Sequence, residues 1–235
     1  VGKPYELVVY EGGPGGYKLP GSAPPDEVEV REKMGKSLAS APLTLNNSLY
    51  YDYAGFSGQC FSSLGQGPYW TALTTIGKGS IPHTGWLAWK MRNFAGKADV
   101  LEVQQLKVPL ITFENRTREP LITAYCYRRL NNFYLYIISK ALDYFPDSTH
   151  PGYFPVRVHL PFKNPKSIKQ VLLTGNPRES NRETRKIFLR ESTVPTAMFS
   201  DDFYLTPEIT GLPHNGMPPA SCVLYIFENT VPDLP

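Results

Sequence analysis

The hydrophobic period of this sequence changes once, near residue 98, and that change limits the folds open to it. Before it, apolar residues recur at helical spacing between short β-rich runs. After it, short β-rich runs follow one another between turn residues, with no long helical period. The chain therefore reads as α/β over residues 1–98 and as all-β over residues 99–235.

The first part holds two strand–helix units. Tyr5 to Tyr10 (YELVVY) is almost continuously apolar, the pattern of a strand covered on both faces as in a parallel sheet. Glu11 follows at once, then Gly12-Gly13-Pro14-Gly15-Gly16, a turn that lets the backbone bend sharply at the strand's end. Pro24, Pro25, Asp26 and Glu27 mark a helix start. Val30, Met34, Leu38, Ala41, Leu45 and Leu49 then fall on one helical face, with a kink or an end expected near Pro42. Leu49 to Phe56 (LYYDYAGF) reads as the next buried strand. A glycine-rich loop from Ser57 to Ile81 carries Tyr69, Trp70 and Cys60, and Pro82 and Thr84 open a second helix with Leu87, Met91 and Phe94 on one face. Trp86 and Trp89 are expected in the helix-packing core, and Gly96 is the expected stop.

Beyond residue 98 the strand candidates are 100–108, 121–129, 133–140, 156–160, 168–174, 186–190, 203–206 and 222–228, with a hairpin turn at Asn131-Asn132. So many short strands imply a sandwich or barrel. The charged stretch Arg178 to Arg190, broken by Glu179, Asn181 and Glu183, is expected as a solvated hairpin tip. Two strand–helix units leave bare strand edges and an uncovered apolar face, so the first part needs further units from elsewhere in its polypeptide or from another subunit.

Composition narrows the function. A net charge of +3 and unclustered basic residues argue against a nucleic-acid partner. No apolar run approaches the ~20 residues of a membrane span. The chain starts at Val1 without an initiator Met or a signal peptide, as a processed or partial chain would. Sequons at Asn46 and Asn115 fit an extracellular, secreted protein. Three cysteines make no disulfide framework and show no metal-ligand spacing. There is no Gly-x-Ser-x-Gly elbow, phosphate-binding loop, His-Glu-x-x-His or dinucleotide fingerprint.

Glu11 is the strongest catalytic candidate, because barrel enzymes place catalysis at the C-terminal ends of parallel strands. The competing role is a cap or a surface charge on a turn. The run VVYEGGPGGYKLP, the YYDYAGF segment and PHTGWLAWKMRN together resemble the end of the barrel in clan A glycoside hydrolases. FYLYIISKALD, HLPF, LLTGNPRESNRE and GMPPASCVLYIFEN resemble the C-terminal β-sandwich that follows it in arabinofuranosidase-, xylosidase- and agarase-like members.

The resemblance implies the C-terminal βα units of a (β/α)8 barrel followed by an antiparallel β-sandwich. It implies a retaining glycosidase acting on a polysaccharide or oligosaccharide, with Glu11 as nucleophile and neither metal nor cofactor. The clan's acid/base, usually an Asn-Glu pair after the fourth strand, has no match here. The chain would then supply half of a catalytic pair, and the missing N-terminal barrel portion would be its partner. Tyr69 and Trp70, on the rim loop, are candidates to stack on sugar rings, with loop packing the competing role. Tyr17 and His83 are weaker rim candidates, His83 competing with a capping or packing role. Asp52 is expected as a structural carboxylate. The alternative function is a structural or carbohydrate-binding protein on a glycosidase scaffold that no longer catalyses.

Overall fold

The computed structural model describes residues 6–12, 25–61, 72–74, 80–96, 98–101, 110–112, 118–142, 153–160, 162–181 and 184–232. These form two compact units, one from Val1–Asn93 with Gly175–Phe188, the other from Phe94–Thr174 with Leu189–Pro235. The fold is mixed α/β with several separate sheets.

In the first unit, β1 (Val8–Gly12) is followed by helices α1 (Pro25–Lys36) and α2 (Ser40–Tyr53), strand β2 (Gly58–Phe61) and helix α3 (Thr84–Arg92). The two strands pair in parallel. Helix α1 carries Asp26 and Glu27 in its first turn and Lys33 and Lys36 in its last, matching the helix dipole at both ends. The helical face expected from Val30 to Leu49 divides in two. Val30 and Met34 are exposed, whereas Leu38, Ala41, Leu45 and Leu49 are buried. The break falls at residues 37–39, and Pro42 sits in the first turn of α2, where its missing N–H would have no helical acceptor anyway.

The segment expected as the strand Leu49–Phe56 is instead the end of α2. Gly55, at φ +85°, closes the helix: its N–H donates to Asp52 O at 3.0 Å, and the Phe56 N–H donates to Tyr51 O at 3.0 Å. The Tyr51 and Phe56 rings meet at 5.3 Å, completing a Schellman cap with its hydrophobic contact. The second strand starts three residues later, at Gly58.

Helices α2 and α3 pack through small residues. Ser40, Thr44 and Ser48 are buried at four-residue spacing, and each hydroxyl turns back onto a carbonyl of the preceding turn. Thr84 at the start of α3 donates to Ser37 O at 2.6 Å. Leu87, Ala88 and Met91 line the buried face of α3. Trp86 and Trp89, expected in the core, are half-buried and stack on each other at 4.8 Å with an interplanar angle of 11°.

The stretch Arg178–Arg190, expected as a hairpin tip, forms no helix or strand in its described residues up to Phe188, which belong to the first unit, while Arg190 begins a strand of the second. Leu38 N donates to Glu179 O at 2.8 Å, and Ala39 N to Pro177 O at 3.0 Å. Asn181 is fully buried. Its amide nitrogen donates to Pro82 O and Ile187 O, while its oxygen accepts from the N–H groups of Lys186 and Ile187. One side chain thus satisfies four backbone groups, which lets an irregular segment be buried without a sheet or helix.

The second unit contains β3 (Asp99–Leu101), β4 (Leu110–Thr112), β5 (Arg118–Pro120), β6 (Ile122–Arg129), β7 (Asn132–Ser139), β8 (Arg157–His159), β9 (Phe162–Lys163), β10 (Ser167–Leu173), β11 (Arg190–Thr193), β12 (Asp202–Tyr204), helix α4 (Pro207–Thr210), β13 (Ser221–Glu228) and β14 (Val231–Pro232). Its main sheet is antiparallel, in the order β11-β10-β13-β7-β6-β3. The central strands β7 and β13 are buried on both faces, so their sequences are continuous apolar runs rather than alternating ones. The β6–β7 hairpin closes at Arg129↔Asn132, so its two-residue loop is Leu130-Asn131, one position earlier than expected. Residues 186–189 have no regular secondary structure, and the strand begins at Arg190.

One face of this sheet, with Phe133, Leu135, Ile137, Ile168, Leu172, Tyr225 and Phe227, packs against Leu160, Phe162, Phe203, Leu205 and Met217 from the shorter strands and loops. Phe133 stacks on Phe162 at 4.2 Å, and Phe162 meets Phe227 edge-on at 5.0 Å. Aromatic rings of this size bury enough apolar area to contribute roughly 2–3 kcal/mol each. Gly216, at φ +94°, lies so close to the Phe154 carbonyl that a Cβ would sit 1.8 Å from its oxygen. Cys126 and Cys222 are buried in β6 and β13; burial pushes the Cys126 thiol up to about 12 and the Cys222 thiol higher still, leaving both as inert apolar groups. No helix among the described residues is long and apolar enough to cross a membrane.

Candidate active site at the ends of the parallel strands

Strand β1 forms because Val8, Val9 and Tyr10 favour extended backbone, and it pairs with β2 in the register Val8↔Gly58 and Val9↔Gln59. The next paired position is Gly12↔Phe61. Between these pairs β1 spends two residues, Tyr10 and Glu11, against one on β2, Cys60. This is a β-bulge at the strand's C-terminal end, and bulges recur where a strand must re-aim a side chain. Glu11 therefore stands on the bulge, one residue before the glycine run.

Because β1 and β2 are parallel, the chain leaves both at the same end. The segments that follow carry Tyr17 after β1, and Tyr69 and Trp70 after β2; these three residues, like the sequon residue Asn115, lie outside the described residues. Cys60, expected in the loop after the second strand, is an exposed residue of β2 itself.

Beneath this end the strands are tied to the helices. The Ser57 N–H and hydroxyl both donate to Leu7 O, at 2.8 and 3.1 Å. Gln59 reaches from β2 to α2, its amide nitrogen donating to Ser48 O at 2.5 Å and standing 3.5 Å from Asp52 Oδ1. Arg92, in the last turn of α3, grips the Asp52 carboxylate through Nε at 2.9 Å and Nη2 at 2.6 Å. The Asp52 side chain is buried, and both of its oxygens are engaged by this fork. Asp52 is thus a structural carboxylate linking β2, α2 and α3, carried by a helix rather than by the expected strand. Gln59 and Arg92 escape sequence reasoning, since Arg92 lies forty residues from the carboxylate it holds.

His83 is the N-cap residue of α3 and is buried. Its N–H donates to Ala72 O at 2.9 Å, and its carbonyl accepts from Leu87 N at 3.1 Å. Its place is the packing and capping position, not a solvent-facing rim. Asn46 is half-buried in the middle of α2, and the Ser48 hydroxyl of its sequon is buried and donates to Thr44 O at 2.9 Å. That is a helix interior rather than the surface loop a sequon implies.

No protein-family model matches this sequence, and no curated protein matches it. Solved structures do. The chain is similar to the family 51 α-L-arabinofuranosidase of Thermotoga petrophila RKU-1, with a TM-score of 0.59 and 12% identity over 84% of this chain and 40% of that one. It is also similar to a family 51 α-L-arabinofuranosidase from Bifidobacterium longum, with a TM-score of 0.57 and 11% identity over 82% of this chain and 34% of the other. The likeness is one of fold. The chain spans less than half the length of either enzyme.

Proposed function

We propose that this chain is the C-terminal part of a retaining glycoside hydrolase of clan A type, with β1 and β2 as the last strands of a (β/α)8 barrel and residues 99–235 as a β-sandwich domain. The observation that carries the proposal is the position of Glu11, on a bulge at the C-terminal end of a parallel strand in a fold shared with two glycosidases. Glu11 attacks the anomeric carbon, forming the glycosyl–carboxylate bond as the leaving oxygen departs with a proton from the acid/base. Water, deprotonated by that same group, then breaks the bond and regenerates Glu11. The acid/base comes from the remaining barrel units, roughly 5–5.5 Å across the site as retention requires.

Exposed apolar residues on β1 support such a partner. Tyr10 is 88% exposed and Val8 more than half exposed, on a strand type that ordinarily has both faces covered, and Leu7 just before the strand is also more than half exposed. The substrate is a polysaccharide or an oligosaccharide, and an extracellular setting rests on the Asn115 sequon alone.

The test is covalent trapping. The protein, assembled with its full barrel, is treated with 2-deoxy-2-fluoro glycosyl fluorides of the arabino and xylo series and weighed intact. One added glycosyl group, mapped to the peptide containing Glu11 and absent in Glu11→Gln, is the expected result. Turnover of substrate with a label elsewhere, or with no label, overturns Glu11 as nucleophile. The second reading is a carbohydrate-binding protein without catalysis. It predicts sugar binding with neither label nor turnover.

A further inference from the structure

The β8–β12 ribbon of the second unit has two unlike faces. Val158 and Phe203 pack into the core on one side, which anchors the ribbon. The other side carries Arg157 and His159 from β8 and Asp202 and Tyr204 from β12, with Arg157 opposite Tyr204 and His159 opposite Asp202. Tyr204 is 55% exposed. The Arg157 guanidinium lies over its ring, 5.5 Å from the centroid, and is held there by a fork to Asp202 whose Nε–Oδ1 distance is 2.8 Å. The pairing holds the Asp202 carboxyl below its ordinary range, so both groups stay charged and matched. Beside them, Lys163 is 3.9 Å from Asp201.

We propose that this outer face binds a neutral polysaccharide chain, with Tyr204 as the ring on which a sugar stacks. The choice of ligand class rests on the glycosidase reading above. Two features select it. A sugar offers an apolar C–H face to an aromatic ring and hydroxyls to neighbouring charged groups, and Tyr204, opposite Arg157 and on the same face as Asp202 and His159, presents both. The cations here, Arg157 and Lys163, are each matched by a carboxylate, so the face has no excess positive charge for a polyanion. A protein partner would ordinarily need a broader apolar centre than one tyrosine supplies.

The full chain is run by affinity electrophoresis through gels containing arabinan, arabinoxylan or xyloglucan, with polygalacturonate as the anionic control. Retardation by at least one neutral polymer is expected. Tyr204→Ala should weaken it about tenfold while Tyr204→Phe retains it, with unchanged melting temperatures for both. Retardation only by polygalacturonate, no retardation, or equal retardation of Tyr204→Ala and wild type overturns the proposal. Labelling of Glu11 is scored separately. A label without polymer binding removes this site and leaves the catalytic reading standing; Tyr204-dependent binding without a label does the reverse.

Discussion

Asn181 is the residue on which the docked segment depends. Two backbone N–H groups and two carbonyls rely on one buried amide, so Asn181→Leu strands four polar groups in a dry environment. The expected cost is about 3 kcal/mol, read as a lowered urea midpoint. Leu130 is the opposite case. It sits at φ +55° in a hairpin loop, 84% exposed, where a branched side chain strains the backbone and gains little from burial. Leu130→Asn should stabilise the protein by about 1 kcal/mol, seen as a raised melting temperature. A fall would mean that the loop leans on a contact made by the leucine.

At the scale of elements, the long strands of the second unit were legible, whereas its short strands β4, β5, β9 and β14 and the end of α2 were not. β7 and β13 announce themselves as apolar runs bounded by turn residues. Leu49–Phe56 is just as rich in tyrosine, and its β-propensity misleads. The decisive signals were Leu49, which continues the stripe of Ala41 and Leu45, and Gly55, which supplies the left-handed residue of a helix cap. Propensity yields to packing when a stripe is already established. Of the candidate site, the order strand, Glu11, glycine run was readable. The Asp52–Arg92–Gln59 tie was not, because pairings across tens of residues leave no local trace.

Neighbouring strands also set a pH response. Lys169 on β10 and then Ser167 hold the Glu228 carboxylate of β13 below its ordinary value of 4.5. A depressed carboxylate contributes stability above its unfolded value and loses it as pH falls through the folded one. Stability should therefore decline as pH drops below about 4.5, and Glu228→Gln should flatten part of that decline in melts from neutral to acid pH. The pair is largely exposed, so its share is small and is reduced further by salt. Asp202 and Glu208 shift in the same direction and add to it.

At the scale of the molecule, the change of hydrophobic period near residue 98 lies close to one crossing between the units, at 93/94, and two further crossings leave no change of period to mark them. Gly175–Phe188 belongs with the first unit. A fragment ending at residue 97 lacks the carbonyls that receive Leu38 and Ala39 N–H, together with Asn181 and its four bonds. It should show no cooperative transition by circular dichroism, whereas the full chain melts cooperatively in its second unit. A sharp melt for the fragment would show that the docked segment is dispensable.

That same segment bears on how such a protein can change over evolutionary time. The polypeptide passes between the units at residues 93/94, 174/175 and 188/189, so no single genetic crossover separates them. An exchange that moved residues 94–235 into another gene would carry away a piece on which the α2 end of the first unit relies. The two units are therefore bound to be inherited together, and a shuffled descendant would first have to replace Gly175–Phe188 with a loop that leaves Asn181 behind.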